Sequence, residues 1–289
     1  MSVWRRLKAL RKAYGLRRGL VREALLRVDS LRHRVGRREL AACLRDLGLR
    51  DGDLVCVHTA FRSLGYVVGG PITVIRALED VVGSRGTILM PTYSAGGLTI
   101  NWVKSSPVFD VRNTASDLGV LPEVFRVQPG TKRSLHPTHS VSGRGALATE
   151  ILQDHEKADR PFGHGTPFMR LIERGGKGLI LGARLHNFTT LRTIEDHLAE
   201  SYPLNPYLPE TYPIEIIDEL GQRRVVRTLV PDPALGPRRN GDIFLPFLRE
   251  RGLVREGNVG RARAILVECA PLLDALKEAT QKGILAYRL

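Results

Sequence analysis

Long apolar runs are missing from this 289-residue sequence, and so is any sustained excess of acid. No stretch approaches the roughly 20 consecutive apolar residues that a spanning helix needs. No apolar core of a leader peptide follows the N-terminal charges, so neither a span nor a secretory signal is expected. Cysteine is scarce: Cys43, Cys56 and Cys269 are far apart, odd in number and set among apolar neighbours. Such a set makes neither a disulfide framework nor a zinc site, and no metal is expected. It predicts small buried side chains in a reducing compartment, the cytoplasm. Internal repeats and low-complexity tracts are absent as well.

What is present is an ordinary globular composition, 43% hydrophobic and 26% charged, with one unusual feature, a net charge of +14. The length suffices for one large domain or two smaller ones. The charge is unevenly spread. Residues 1–40 hold thirteen Lys/Arg against Glu23, Asp29 and Glu39, which accounts for +10 of the total. Trp4, Leu7, Leu10, Ala13 and Tyr14 recur there at helical spacing, with Arg5, Arg6, Lys8, Arg11 and Lys12 between them. The pattern predicts a basic amphipathic arm over residues 1–36, ahead of a body over 37–289. Docking of its Trp/Leu stripe on the body is the first expectation. The second is contact of residues 1–20 with anionic membrane at the inner face. Nucleic acid comes third, because no recognition motif accompanies the charge.

From Arg37 the pattern becomes compact. The segment RRELAACLRDLGL reads as an amphipathic helix and LVCV as a short strand. Pro71 then opens a helix running to about Val82, and TILM forms another strand. Residues 94–116 read as an irregular loop over the sheet edge. Helices are expected over DLGVLPEVFRVQ, near Ala146–His155, and within PFGHGTPFMRLIERGG, with a strand at Gly178–Leu181. TLRTIEDHLAE reads as a helix capped by Thr189 or Thr190. IEIIDELGQRRVVRTLV reads as a β-hairpin turning at Gly221. The C-terminal part reads as a strand followed by a helix over CAPLLDALKEATQKG. This order predicts an α/β core with some parallel pairing.

The strand LVCV empties into HTAFRSLGYVVGG before Pro71. Small residues there suit close backbone approach to an anionic ligand at a helix N-terminus, although any tight strand–helix connection can use a diglycine. Six segments in fixed order carry more weight: VHTAFRSLGYVVGG, GTILMPTYS, LGVLPEVFR, RSLHPTHSVSGRG, GTPFMRLIERGGKGLILGA and TTLRTIED. Together they resemble the aminoglycoside 3-N-acetyltransferase family, over about residue 37 to the end. The resemblance implies an α/β/α layered fold with a C-terminal β-hairpin subregion. It also implies acetyl transfer from acetyl-CoA to an amine. By the same resemblance, the loop residues His58, Thr59, Arg62, Ser63, Leu64, Gly65, Val67, Gly69 and Gly70 would hold CoA, largely through backbone groups. Thr92 and Ser94 would line the same cleft, and Ser140 would lie near the thioester.

Amide formation sets its own demands, because an ammonium must lose a proton and the tetrahedral oxyanion needs donors. His136, presented before Pro137, is the expected base, with His139 as second candidate. Many family members read Thr-x-x-His-x-x-Glu where this chain reads TTLRTIE, so Arg192 stands at the histidine position between Thr189 and Glu195. A guanidinium stays protonated and cannot act as a base. Glu195 would then orient the base or bind the amine, and Arg192 and Asp196 would contact substrate. The plain alternative for Arg192 and Glu195 is a helical i,i+3 pair worth a few tenths of a kcal/mol.

The expected activity is acetyl-CoA-dependent N-acetylation of an amino sugar, nucleotide- or lipid-linked, in bacterial cell-surface glycan synthesis. An aminoglycoside antibiotic is the alternative acceptor, and another acyl group or amine is a further one. From another class comes a membrane- or nucleic-acid-binding protein with a vestigial acyl-CoA cleft. A homo-oligomer is left open.

Overall fold

The computed structural model describes residues 34–95, 97–158 and 160–288, and the helical reading of residues 1–20 lies outside them. The end of the arm does fall inside. Arg34–Val35 (β1) pairs in parallel with Tyr66–Val67 (β3), and Val35 is buried against the body.

Seven strands form the main sheet: Leu54–Thr59 (β2), Thr87–Pro91 (β4), Lys132–Arg133 (β6), Val141–Gly145 (β7), Lys177–Leu181 (β8), Val254–Val259 (β11) and Ala262–Glu268 (β12). Their order is β11-β12-β8-β2-β4-β7-β6. The three central strands are parallel, with β2 between β8 and β4, while the flanking strands run antiparallel. These central strands read as continuous apolar runs because both faces are covered. Alternation along them splits the core in two. Val55, Val57, Ile88, Met90, Leu179 and Leu181 face the helices Arg37–Leu47, Pro71–Val82 and Val120–Arg126. Leu54, Cys56, Leu89 and Ile180 face the helices Ala148–Leu152, Pro167–Glu173, Phe244–Glu250 and Leu272–Gln281. This is the α/β/α layering expected. No helix among the described residues is long and apolar enough to cross a membrane.

Residues 94–116 are not the irregular loop expected. They contain a helix, Thr99–Lys104, and a strand, Val108–Asp110 (β5), which joins a second sheet of order β10-β9-β5. Its hairpin is Tyr207–Ile217 (β9) and Arg223–Pro231 (β10), with Gly221 in the turn at φ +80°. The hairpin starts earlier than IEII suggests, inside the proline-rich stretch. Pro209 and Pro213 are tolerated because β5 pairs only with residues 215–217, so their missing N–H groups face no partner strand. Phe109, Ile214 and Ile216 form this sheet's own small core. Two further differences concern the C-terminal third. Two strands stand where one was expected, and the helix Phe244–Glu250 was not foreseen.

Thr189 and Thr190 do not cap a helix. Thr189–Arg192 is a single 3₁₀ turn running into the helix Thr193–Leu198, and no side chain caps either one. The Thr189 side chain turns instead toward His58, 3.3 Å from Nε2. Ahead of that turn, the tip of the Phe188 ring packs on β8 at Gly178, where an added Cβ would come 2.2 Å from it. A strand glycine therefore seats the ring on which the site is built.

Candidate active site

The carboxyl ends of β2, β4 and β8 open into a cleft of about 570 Å³ lined by His58, Thr59, Tyr93, Gly182, Arg184 and Thr189, among others. Ligands of open α/β sheets bind at such strand ends. A second hollow of about 740 Å³ shares the Gly182–Arg184 wall and takes in Ser63, Arg249 and Arg263. Close packing fixes that wall, since an added Cβ at Gly182 (φ +65°) would overlap the Ser63 hydroxyl.

His58 is the titratable group best defined in the cleft. The Thr189 N–H donates to Nε2 at 3.3 Å, and the Phe188 ring meets the imidazole edge-on at 5.5 Å between centroids. Desolvation lowers its pKa to about 3, so the ring is neutral at physiological pH. A neutral imidazole whose Nε2 accepts carries its proton on Nδ1. That Nδ1 is buried and has no protein partner. Thr59 Oγ1 and the Tyr93 hydroxyl, which lies beside Thr189, are likewise buried without a completed hydrogen bond. Three unpaired polar atoms on one cleft are what a polar ligand would satisfy.

Beyond Ala60, the 58–70 loop does not face this cleft. Leu64 and Val67 are core residues, Arg62 is exposed, and Ser63 reaches only the adjoining hollow. Four of its backbone donors are also in use. The N–H groups of Ala60, Ser63, Val68 and Gly70 bond to Leu181, Ala60, Val35 and Val67 carbonyls, respectively. Gly65, Gly69 and Gly70 have φ of +86°, +82° and +69°, so they serve the turns.

Thr92, Ser94 and Ser140 are turned away as well. All three are buried around Arg133, whose Nε donates to Ser140 Oγ at 3.0 Å and whose Nη2 donates to Ser94 Oγ at 2.9 Å. The Ser140 hydroxyl in turn donates to the Thr92 carbonyl at 2.8 Å. Desolvation pushes the Arg133 pKa down to about 9, and the Phe109 ring lies 4.8 Å away. These polar groups solvate a buried cation, and the structure does not bring Ser140 to the cleft.

His136 and His139 are interior residues too. His136 is 2% exposed, its Nδ1 accepts the His139 N–H at 3.1 Å, and Thr228 of the hairpin closes over Nε2 at 3.3 Å. Its ring stacks with His155 at 4.6 Å. Burial lowers its pKa to about 3 and holds His139 and His155 well below the ordinary range. Only His139 approaches the cleft, edge-on behind Tyr93 at 4.9 Å. A loop histidine before proline looked presentable in sequence, but the hairpin, about 90 residues later, roofs it.

Arg192 and Glu195 do pair, and in a setting unlike a surface helix. Glu195 is fully buried and takes Arg192 Nε at 3.2 Å, Arg239 Nε at 3.5 Å and the Tyr287 hydroxyl at 3.1 Å. The Arg192 guanidinium lies 4.4 Å over the Phe162 ring. Burial is the largest single influence and works against its charge, but Glu195, Tyr287, Tyr207 and Asp196 together outweigh it and the pKa is raised. Arg239 also donates to the His186 carbonyl at 3.3 Å, and its Nη2 is buried without a partner. Two guanidiniums on one carboxylate leave a local charge of +1. Asp196 points elsewhere, accepting from the Tyr207 hydroxyl at 2.7 Å and the Phe162 N–H at 2.8 Å. Desolvation raises its pKa to about 6. Arg239 and Tyr287 carried no sequence signal, because each reaches Glu195 from a distant segment. Among the described residues, no cluster of His, Cys, Asp or Glu could hold a metal ion.

A family model described as aminoglycoside 3-N-acetyltransferase matches residues 56–281. Aminoglycoside N(3)-acetyltransferase VII of Streptomyces paromomycinus is 36% identical over 260 residues, covering 83% of this chain and 89% of the relative. Aminoglycoside N(3)-acetyltransferase IX of Micromonospora chalcea is 34% identical over 254 residues, covering 80% and 88%. The crystal structure of the aminoglycoside acetyltransferase AAC(3)-Xa superposes with a TM-score of 0.76 at 31% identity, over 91% of this chain and 98% of that one. AAC-IIIb in a binary complex with CoASH gives 0.71 at 31% identity, over 86% and 97%.

Proposed function

Because this chain belongs to the aminoglycoside 3-N-acetyltransferase family, it is an acetyl-CoA-dependent N-acetyltransferase, and we propose that its acceptor is an amino sugar bearing an anionic group near the reacting amine. A nucleotide-linked or lipid-diphosphate-linked amino sugar of glycan synthesis has that chemistry. The observation that carries the reading is the buried trio in which Arg192 and Arg239 share Glu195, which lies behind the cleft lining and acts on the Tyr93 hydroxyl in its wall. Its net positive charge favours an anion and disfavours a polycation. The +10 balance of residues 1–40 points the same way.

The two joined hollows suit an elongated cosubstrate such as acetyl-CoA. His58, Thr59 and Tyr93 supply unpaired polar atoms at one end, and Ser63, Arg184, Arg249 and Arg263 line the other. Arg184 and Arg249 already pair with Asp242 and Glu256, which leaves Arg263 as the stronger candidate for a phosphate. The bound thioester supplies the electrophilic carbon. None of the residues lining the cleft is a carboxylate, and the one His58 nitrogen able to accept a proton, Nε2, already takes the Thr189 N–H. The acceptor therefore reacts as its free amine, without a histidine base.

Steady-state kcat/KM for a nucleotide-linked amino sugar against gentamicin tests the acceptor class. The anionic sugar should be preferred, and Arg192→His should move the ratio toward the antibiotic. A wild-type preference for gentamicin, or an unmoved ratio, refutes it. The second reading, an aminoglycoside acceptor, is favoured by the relatives' names and by the family structure bound to sisomicin. The same assay decides between them.

A further inference from the structure

His58 lines the cleft, with one ring nitrogen accepting a protein N–H and the other left without a protein partner. The Thr189 N–H fixes Nε2 as the acceptor at 3.3 Å, which leaves the proton on Nδ1. Phe188, seated on Gly178, packs edge-on against the imidazole. The Nδ1–H is buried in the cleft wall and meets no acceptor of the protein. A buried donor without a partner is costly, so a ligand oxygen that supplies the missing acceptor is favoured.

We propose that the Nδ1–H of His58 is an oxyanion donor, bonding the thioester carbonyl oxygen of acetyl-CoA and strengthening as that oxygen becomes negative. This rests on the acetyl-transfer reading of the cleft. The acceptor nitrogen's lone pair forms the C–N bond, and the carbonyl π pair moves onto oxygen, facing Nδ1–H. Collapse of that pair breaks the C–S bond, and the departing thiolate takes the proton from the former amine. Amide and CoA thiol result, with atoms and charge balanced. His58 gives up no proton at any stage. The depressed pKa suits this role, because a ring that stays neutral keeps a fixed donor and never becomes a competing acid.

Three measurements test it. In ¹⁵N-histidine-labelled free protein, the His58 ring should report the neutral Nδ1–H tautomer between pH 6 and 8. On binding [1-¹³C]acetyl-CoA, the infrared carbonyl stretch should move to lower wavenumber in wild type and in His58→Asn, whose side-chain amide can place a donor near Nδ1. In His58→Phe the shift should vanish, with kcat lowered about 10²–10³-fold and the KM for acetyl-CoA little changed. His58→Asn should recover at least tenfold of that loss. An Nε2–H tautomer, or an unshifted carbonyl in wild-type protein that binds acetyl-CoA, overturns the proposal while leaving acetyl transfer standing. Failure of wild type to bind acetyl-CoA removes both.

Discussion

Four buried histidines, His58, His136, His139 and His155, make the stability of this fold depend steeply on mild acid. Burial lowers the first two to about 3 and holds the other two well below 6.5. Each is therefore neutral in the folded chain near pH 5.5, whereas in the unfolded chain each titrates near 6.5. A depressed folded pKa adds stability that is fully present above the unfolded value and is lost as pH falls toward the folded one. Each histidine takes up almost one proton on unfolding at pH 5.5, so the four contribute nearly four protons to the slope, or about 5 kcal/mol per pH unit. From pH 6.5 to 5.5 the four together remove about 4 kcal/mol, a large part of the 5–15 kcal/mol typical of a domain. His58 is half-buried by surface area, and Asp196, raised to about 6, releases most of a proton on unfolding at this pH, so a net uptake of about two to three protons is expected. Thermal melts across pH 5.5–8, with proton uptake from calorimetry in buffers of different ionisation enthalpy, measure the slope. His155→Phe, beside Phe168 at 6.1 Å, should remove about one proton from it. Stability that is flat from pH 7 to 5.5, or uptake below two protons, would refute the reasoning.

The same neutral rings predict the pH dependence of the reaction. kcat/KM should rise with pH to the acceptor amine's own pKa, with no histidine limb near 6.5; a limb that survives a change of acceptor pKa would return a histidine base. Glu195→Gln leaves two buried guanidiniums unpaired and should cost about 3–5 kcal/mol of stability in denaturant titration. A loss below about 1 kcal/mol would mean that the trio is solvated and carries no field toward the acceptor. Gly182→Ala should raise the KM for acetyl-CoA by pushing Ser63 out of the shared wall, and Ser63→Gly should restore part of it. Thiol titration of the native protein should reach Cys43 alone, because Cys56, pushed up to about 12, and Cys269 are buried.

Local pattern carried the layers, and distance hid the site. The strands β2 and β4 and the helix opened by Pro71 follow from neighbouring residues, and their boundaries agree with the pattern to within two residues. β5 did not, because three residues become a strand only when Glu215–Ile217 arrive beside them. The six ordered segments identified the family, yet their individual residues fell into two groups. His58, Thr59 and Ser63 line the hollows, while Thr92, Ser94, Ser140 and His136 are buried polar supports. A motif records that a side chain is needed, not whether it touches ligand or scaffold. The tautomer of His58 is fixed by Thr189, 131 residues away, and Glu195 is shared by Arg239 and Tyr287. Such contacts have no signature along the chain.

Arg133 has one more consequence. The chain leaves the main sheet beyond Pro91, builds the Thr99–Lys104 helix, β5 and the Val120–Arg126 helix, and re-enters at Lys132. Arg133 clasps both ends of that excursion, holding the Thr92 carbonyl and Ser94 on the way out and the Thr114 carbonyl at 2.5 Å within it. Tyr93 sits inside the clasp, so its place in the cleft is set at the neck of the loop and not by the loop's length. Closure entropy grows only slowly with length, about 0.6 kcal/mol per doubling. The part that builds the Thr99–Lys104 helix and β5 is thus a cassette: it can lengthen, shorten or be exchanged, while Leu118 and Pro122 beyond it belong to the cleft wall and stay with the sheet.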